Sequence, residues 1–224
     1  MNKSLSLKPL IAEFIGTFTL IFIGVGSIAA DQITGGKLGL TGIAFAHGLA
    51  IAVMVSATAA VSGGHLNPAV TIGLWFAKKI DSASATGYVL FQCLGAVFAA
   101  TLIKLAVPAS VLMAINMGTP SVGQGISVSM ALLTELVLTF FLVFVVYGTG
   151  VDNRAPKCGG LFIGLTITMG ILMGGPISGG SINPARYIGP ALLGGGLQNW
   201  WIYLLGPICG GILAAGIYRS QLEK

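Results

Sequence analysis

Two copies of the tripeptide Asn-Pro-Ala point most clearly to the binding of a polar molecule by this chain. They are Asn67-Pro68-Ala69 and Asn183-Pro184-Ala185. Asn is a preferred N-cap because its side-chain oxygen accepts a hydrogen bond from a free backbone N–H, and Pro fits the first helical position. Each copy therefore predicts a helix start. The amide NH₂ groups of Asn67 and Asn183 can still donate to an acceptor on a neutral molecule, with a purely structural capping role as the alternative.

Five ionisable side chains lie in apolar sequence, where a charge inside a membrane is functional by default. Arg186 follows the second tripeptide and has no acidic residue near it in sequence, so it is expected to face a pore, with pairing to a carboxylate as the alternative. His47 could face the same pore or pack at a helix interface. His65 precedes the first tripeptide and could line the pore or brace its loop. Glu13 and Glu135 lie in two further apolar runs.

The composition places these residues in a membrane. Of 224 residues, 55% are hydrophobic and 8% are charged, against about 25% charged residues in an average soluble domain. The formal charge of +5 comes from scattered basic residues, so we expect a lipid bilayer as partner and no nucleic acid. Cys93, Cys158 and Cys209 lie on separate segments and predict neither a disulfide framework nor a metal site. No cofactor is expected.

Six apolar runs are long enough to cross a hydrocarbon layer of about 30 Å. They cover residues 9–30, 40–61, 83–107, 128–150, 160–175 and 199–218, and the fifth must extend at one end. Two further apolar stretches, 67–77 and 183–193, begin at the tripeptides. At 1.5 Å per residue each covers only about half a bilayer. The chain is therefore predicted to hold six spanning helices and two half-helices.

Lysine and arginine predict the orientation of the spans. With both termini in the cytoplasm, that side holds Lys3, Lys8, Lys78, Lys79, Arg154, Lys157, Arg219 and Lys224. The outer side then holds only Lys37 and Lys104, near helix ends. We expect a multi-pass protein of the cell (plasma or inner) membrane with both termini cytoplasmic.

The chain contains an internal repeat. Residues 62–69 and 178–185 share one pattern of small residues around the tripeptide. The repeat divides a single channel domain, residues 1–224, into halves of about 1–107 and 128–224, joined by an outer loop, 108–127. Because each half has three spans, the second half is inverted relative to the first. One half-helix then enters from each side of the membrane, and their N-termini meet near its centre.

That meeting predicts a site that repels cations, since each helix N-terminus carries about half a positive charge. Non-helical backbone at membrane depth is tolerated where it lines a cavity. We therefore expect the residues just before the two tripeptides to line a narrow pore with their backbone atoms. This group is Gly63, Gly64, His65, Gly179 and Ser181.

On these tripeptides and their inverted frame, the chain resembles an aquaporin of the major intrinsic protein family over essentially its whole length. The resemblance implies an all-α membrane fold, a passive water channel that is not an enzyme, and a homotetramer with one pore in each subunit. It also implies that Glu13 and Glu135 hold the two loops before the half-helices through hydrogen bonds.

The resemblance places a selectivity filter on His47, Ile171, Gly180 and Arg186. Ordinary water-only members have Phe on the second helix and His on the fifth, so this chain departs from them. Its combination is similar to that of a subgroup of plant tonoplast intrinsic proteins associated with ammonia as well as water. Gly180 widens the gap and Ile171 removes a polar partner, so ammonia is a second expected solute.

Other functions would require other residues. Glycerol-conducting members usually have Asp after the filter Arg and a basic residue four positions further on, where this chain has Tyr187 and Ala191. A small-solute facilitator is therefore the alternative within the family. An ion-coupled transporter would need a coupling-ion site, for which only Glu13 and Glu135 are available. A structural membrane protein would not need Arg186 or paired Asn caps.

Overall fold

The computed structural model describes residues 6–155 and 157–223, and every regular element in these ranges is helical. Lys3 and Lys224, which the orientation prediction uses, lie outside the described residues. In chain order the α-helices are α1 (Leu7–Ile33), α2 (Gly39–Ser62), α3 (Pro68–Phe76), α4 (Ser82–Ala106), α5 (Ala109–Ala114), α6 (Val128–Val146), α7 (Gly159–Ser178), α8 (Pro184–Pro190) and α9 (Ile202–Ile217). Together they confirm the predicted all-α class.

Six of these helices are long and apolar enough to cross a membrane, as predicted. They are α1, α2, α4, α6, α7 and α9. The fifth span is longer than its apolar run because α7 continues through Pro176 to Ser178. The sixth begins later than predicted, at Ile202, since Asn199 has a φ of +52° and lies in a turn before the helix.

The helices α3 and α8 are the two half-length elements. Nine residues in α3 and seven in α8 give lengths of about 14 and 10 Å. Both begin at an Asn N-cap followed by Pro: the Asn67 side chain accepts from Ala69 N at 2.8 Å, and Asn183 accepts from Ala185 N at 2.9 Å. After Pro190 the chain makes one π-helical turn, Ala191–Gly195, and Gly194 leaves helical geometry with a φ of +147°.

Small residues bring the long helices into close contact in a pattern that the two halves share. Gly95 of α4 lies against the backbone of Phe14 in α1, and Gly210 of α9 lies against the backbone of Leu136 in α6. A Cβ at either glycine would collide with the facing carbonyl oxygen. Because polar backbone comes this close only where side chains are small, these contacts fix the α1–α4 and α6–α9 pairs.

The segment between α4 and α6 folds back onto the bundle. It contains α5 and a 3-10 turn, Asn116–Gly118, which the outer-loop prediction for residues 108–127 did not include. Gly123 N donates to Ile177 O at 2.9 Å, and Gly179 lies against Pro120. The segment therefore packs against the chain that leads into the second tripeptide.

A polar network joins the last residues of the chain to the α6–α7 connection. It lies on the face of the bundle where α1 begins and α9 ends, which we call the terminal face. Arg154 donates to both carboxylate oxygens of Asp152, at 2.9 and 2.5 Å, and its Nη2 also donates to Leu222 O at 2.8 Å. Tyr218 donates to Asp152 at 3.2 Å. These hydrogen bonds, those from Arg154 first, hold the pKa of Asp152 well below its usual range.

The Asp152→Asn substitution should release the turn Tyr218–Leu222 from this network. The stabilisation from a carboxyl with a lowered pKa is present above its ordinary pKa and is lost only as pH falls through the lowered value. Wild-type protein should therefore keep the turn equally protected between about pH 5 and pH 8. Hydrogen exchange of the C-terminal peptide, read by mass spectrometry, should become several-fold faster in the variant.

The Asp81→Asn substitution is the matched control, because Asp81 is an exposed carboxylate that caps α4 and whose side chain accepts hydrogen bonds from Ser84. Unchanged exchange of the C-terminal peptide in Asp152→Asn would contradict the role of this network.

Candidate functional site

The two half-helices begin next to each other and are joined by reciprocal hydrogen bonds. Asn67 Nδ2 donates to Ile182 O at 3.0 Å, and Asn183 Nδ2 donates to Leu66 O at 2.9 Å. Each Asn therefore uses its oxygen as a cap and one amide N–H for the opposite half. One N–H of each amide remains for a molecule between them, and not the whole NH₂ group that the sequence predicts.

The carbonyls that receive these hydrogen bonds belong to residues with unusual backbone geometry. Leu66 and Ile182 have φ values of +50° and +57°, and both side chains are almost fully buried. Branched residues rarely adopt this left-handed conformation, which persists only where the surrounding structure enforces it. Here it directs each carbonyl toward the Asn of the other half.

The first loop, residues 63–66, is held by the carboxylate of Glu13, which is completely buried. Its Oε1 accepts from Ser62 Oγ at 2.6 Å and from His65 N at 2.9 Å, and its Oε2 accepts from Leu66 N at 2.6 Å. Charge-assisted hydrogen bonds of this kind are about twice as strong as neutral ones. Glu13 thus satisfies two backbone donors that no helix accepts.

The second loop, residues 179–182, repeats this arrangement around Glu135. Its Oε1 accepts from Ser178 Oγ at 2.7 Å and from Ser181 N at 2.8 Å, and its Oε2 accepts from Ile182 N at 2.7 Å. The carboxylate is also completely buried. In each half, therefore, a glutamate carboxylate accepts the backbone N–H groups of the non-helical loop.

Three further side chains, which the sequence did not predict, support the first loop directly or through its neighbours. Gln92 donates to Glu13 Oε2 at 2.7 Å and to Thr71 Oγ1 at 2.9 Å, and Thr71 Oγ1 lies 3.1 Å from His65 Nδ1. Tyr88 donates to Ser62 O at 2.9 Å. In the sequence, Gln92 is marked only as the one amide side chain within the apolar stretch 89–100 of α4.

A narrow cavity passes between the two loops, and we call it the central cavity. Its polar lining comes from both tripeptides and both loops, and an opposite apolar wall comes from α2, α6 and α7. Its lining includes Asn67, Asn183, Gly64, His65, Gly180, Ser181, Ile51, Val55, Leu142, Val146, Ile163 and Ile167. The space open to a water-sized molecule is about 20 Å³, little more than the least that holds one water. The cavity therefore has room for about one water-sized molecule at a time.

The four predicted filter residues all line this cavity: His47, Ile171, Gly180 and Arg186. His47 Nδ1 donates to Ile43 O at 2.8 Å, so in the neutral imidazole the lone pair lies on Nε2. Within the described part of the chain, His47 Nε2 and Arg186 Nη1 are both buried without a hydrogen-bond partner. One acceptor and one donor are thus left unused by the described residues.

The predicted backbone-lining residues divide into three groups. Gly64, His65 and Ser181 line the central cavity. Gly63 lies in a wider chamber of about 570 Å³ at the terminal face, which Gly64 and His65 also line. Gly179 lies apart from the residues that line either space and packs against Pro120, because its left-handed φ of +83° ends α7 there.

Comparison with known proteins places this geometry in a family. The profile described as Major intrinsic protein matches residues 1–218. Aquaporin TIP4-4 of Zea mays is 43% identical over 220 residues, which cover 94% of this chain and 85% of that protein. Aquaporin NIP1-1 of Oryza sativa subsp. japonica is 38% identical, over 95% of this chain and 74% of that protein. The solved aquaglyceroporin from Plasmodium falciparum superposes with a TM-score of 0.84 at 26% identity, covering 96% of each chain.

The Glu13→Gln substitution should destabilise the protein. It replaces an acceptor oxygen with an NH₂ group that faces donors, and hydrogen bonds to charged groups contribute about 1.5–3 kcal/mol each. We expect a loss of about 2 kcal/mol or more in the free energy of unfolding, seen as a lower melting temperature in detergent.

Thr17→Val is the matched control. Thr17 lies one helical turn from Glu13 and is fully buried, and within the described residues its hydroxyl has no partner. Replacing it by an isosteric apolar residue should leave the melting temperature unchanged or raised. Equal melting of the two variants would contradict the proposed role of Glu13.

Proposed function

Because the chain belongs to the major intrinsic protein family, we propose that it conducts water passively and excludes ions and protons. Members of this family are channels and not enzymes, so the protein is a multi-pass membrane channel for water or small neutral solutes. Membership in a family of channels also argues against the ion-coupled transporter. The proposal that the channel conducts water and excludes ions rests mainly on the narrow central cavity. There, two opposed half-helix N-termini present one amide donor each.

The dimensions of the central cavity support water as the main solute. About 20 Å³ is open at once, so a molecule must shed most of its hydration shell to enter. The amides of Asn67 and Asn183 replace part of that shell for water, whereas the apolar wall opposite offers no competing hydrogen bonds. Water can therefore bind at the centre without being held tightly.

The charges around the cavity support the proposal of ion exclusion. The N-termini of α3 and α8 both present positive dipole ends to the centre, and Arg186 adds a full positive charge to the lining. A cation meets repulsion and loses hydration at the same point. Half-helix dipoles, an Arg and lining donors are the general means by which aquaporin-type pores exclude cations and protons.

Ammonia is the second solute that we propose. A neutral ammonia molecule has three N–H donors and one lone pair, which match the free lone pair of His47 Nε2 and the free donor of Arg186. Gly180 contributes no side chain to the lining, and Ile171 contributes no polar group. These features support ammonia binding at the filter.

A facilitator of larger neutral solutes is the second candidate function, favoured by the likeness to the solved aquaglyceroporin from Plasmodium falciparum. The central cavity weighs against it, because about 20 Å³ is small for a polyol. Tyr187 and Ala191 stand where glycerol-conducting members usually have an acid and a base. Water therefore remains the leading proposal.

We also propose a homotetramer in the cell (plasma or inner) membrane, with the terminal face in the cytoplasm. Lys79 pairs with Glu223, and Arg154 bonds Leu222 O, so both basic residues lie at the terminal face. The excess of basic residues on that side supports the orientation. The tetramer is carried by the family resemblance alone.

Osmotic shrinkage of liposomes tests the water proposal. Purified protein should accelerate shrinkage in a stopped-flow experiment while the proton conductance of the vesicles stays at the level of empty ones. Arg186→Leu should keep water flow and increase the leak of cations or protons, because it removes the charge at the filter. Shrinkage no faster than in empty vesicles would overturn the proposal.

The ammonia proposal predicts faster alkalinisation of the vesicle interior in an ammonium gradient. His47→Phe should reduce this acceleration several-fold more than it reduces water flow, because it removes the acceptor at Nε2. A bulky residue at Gly180 should also reduce it, although the φ of +55° there makes that variant strained. Alkalinisation equal to that of empty vesicles would reject ammonia as a solute.

A further inference from the structure

One glycine outside the cavity lining contacts a filter residue. Gly24 of α1 is buried and lies directly against the imidazole of His47 in α2. A Cβ added at Gly24 would lie 2.6 Å from His47 Cδ2 and 2.9 Å from Cε1, and it would also collide with Nε2. Carbon atoms in good contact are about 3.5–4.0 Å apart, so the ring occupies space that any other residue at position 24 would need.

The distances show which part of the His47 ring faces Gly24. The added Cβ would be almost as close to the two ring carbons as to the nitrogen between them. An atom that approached along the Nε2 lone pair would lie distinctly farther from both carbons. Gly24 therefore packs against the face of the ring near Nε2, and the lone pair in the ring plane stays clear of α1.

A hydrogen bond within α2 also anchors the ring. His47 Nδ1 donates to Ile43 O at 2.8 Å, one turn earlier in the same helix. This hydrogen bond holds one edge of the ring on α2, and Gly24 lets its face lie back against α1. The two contacts together define where the ring stands relative to Arg186 and the central cavity.

We propose that Gly24 is a positioning residue whose missing side chain sets the position of His47 and thereby the width of the filter. The inference rests on the proposed function, because it assigns to His47 a place in the conducting pathway. A side chain at position 24 would push the imidazole away from α1 and into a cavity that has room for little more than one water.

Position 24 has a matched control on the same helix. A Cβ added at Gly26 would have no atom within 4 Å. Both Gly→Ala substitutions raise the helix propensity of α1 equally, so they differ only in the collision with His47. Gly24→Ala should lower water permeability per protein several-fold, and Gly26→Ala should leave it unchanged.

The His47→Ala variant distinguishes an effect on the position of His47 from a general loss of folding. In His47→Ala protein the imidazole is gone, so the space next to Gly24 is free. Adding Gly24→Ala there should have no further effect on water permeability, and the double variant should fold even if the single variant folds poorly. The wild-type protein, the Gly24→Ala and His47→Ala variants and the double variant should show the same pattern when the ratio of ammonia to water permeability is measured.

The outcomes are distinct. Equal permeabilities of Gly24→Ala and Gly26→Ala would overturn the inference, as would a loss from Gly24→Ala that is just as large in the His47→Ala background. In both cases conduction by the wild-type protein would leave the proposed function intact. A wild-type protein no more permeable than empty vesicles would overturn the proposed function and this inference together.

Discussion

Two segments of this chain leave helical geometry in the middle of the membrane, where no lipid can satisfy a backbone N–H group. The architecture of the pore follows from that constraint. Glu13 and Glu135 each accept hydrogen bonds from two backbone N–H groups and one serine hydroxyl, and both carboxylates are fully buried. A carboxylate suits this task because it accepts several hydrogen bonds and donates none. With the loops satisfied in this way, their remaining polar atoms can face the cavity.

The centre of the pore and its filter are built on different principles. At the centre, Asn67 and Asn183 bond the opposite loops directly, so backbone geometry defines the spacing. At the filter, the lining comes from side chains on α2, α7 and α8 and from the second loop. Their positions depend on packing against neighbours such as Gly24. We therefore expect substitutions at the proposed filter to change the solute more readily than substitutions at the centre.

Much of this arrangement could be predicted from the sequence, because the relevant signals are local or repeated. Hydropathy predicts the six spans, Asn before Pro predicts the start of α3 and α8, and the repeat predicts that they meet. The fold is confirmed by the structure and by its likeness to a solved relative. The roles of His47, Ile171, Gly180 and Arg186 stay predictions, although all four line one cavity.

What the sequence did not reveal depends on contacts between distant segments. Gln92 reaches Glu13 and Thr71 only because α4 packs on α1. Gly24 is one of many glycines in apolar runs, and nothing in its local sequence separates it from Gly26. The helix α5 is short, and its packing on the bundle cannot be read from hydropathy. In each case the missing information is which side chain stands opposite in three dimensions.

The reciprocal hydrogen bonds at the centre also impose an order on biosynthesis. Leu66 O receives its partner from Asn183, and Asn67 donates to Ile182 O, so each half holds a donor and an acceptor that only the other can match. A ribosome completes the first half while the second tripeptide does not yet exist. Until Asn183 has been synthesised, the strained carbonyl of Leu66 lacks that partner, and the first loop cannot reach its final state. The pore is therefore completed in a late step of assembly that requires both halves.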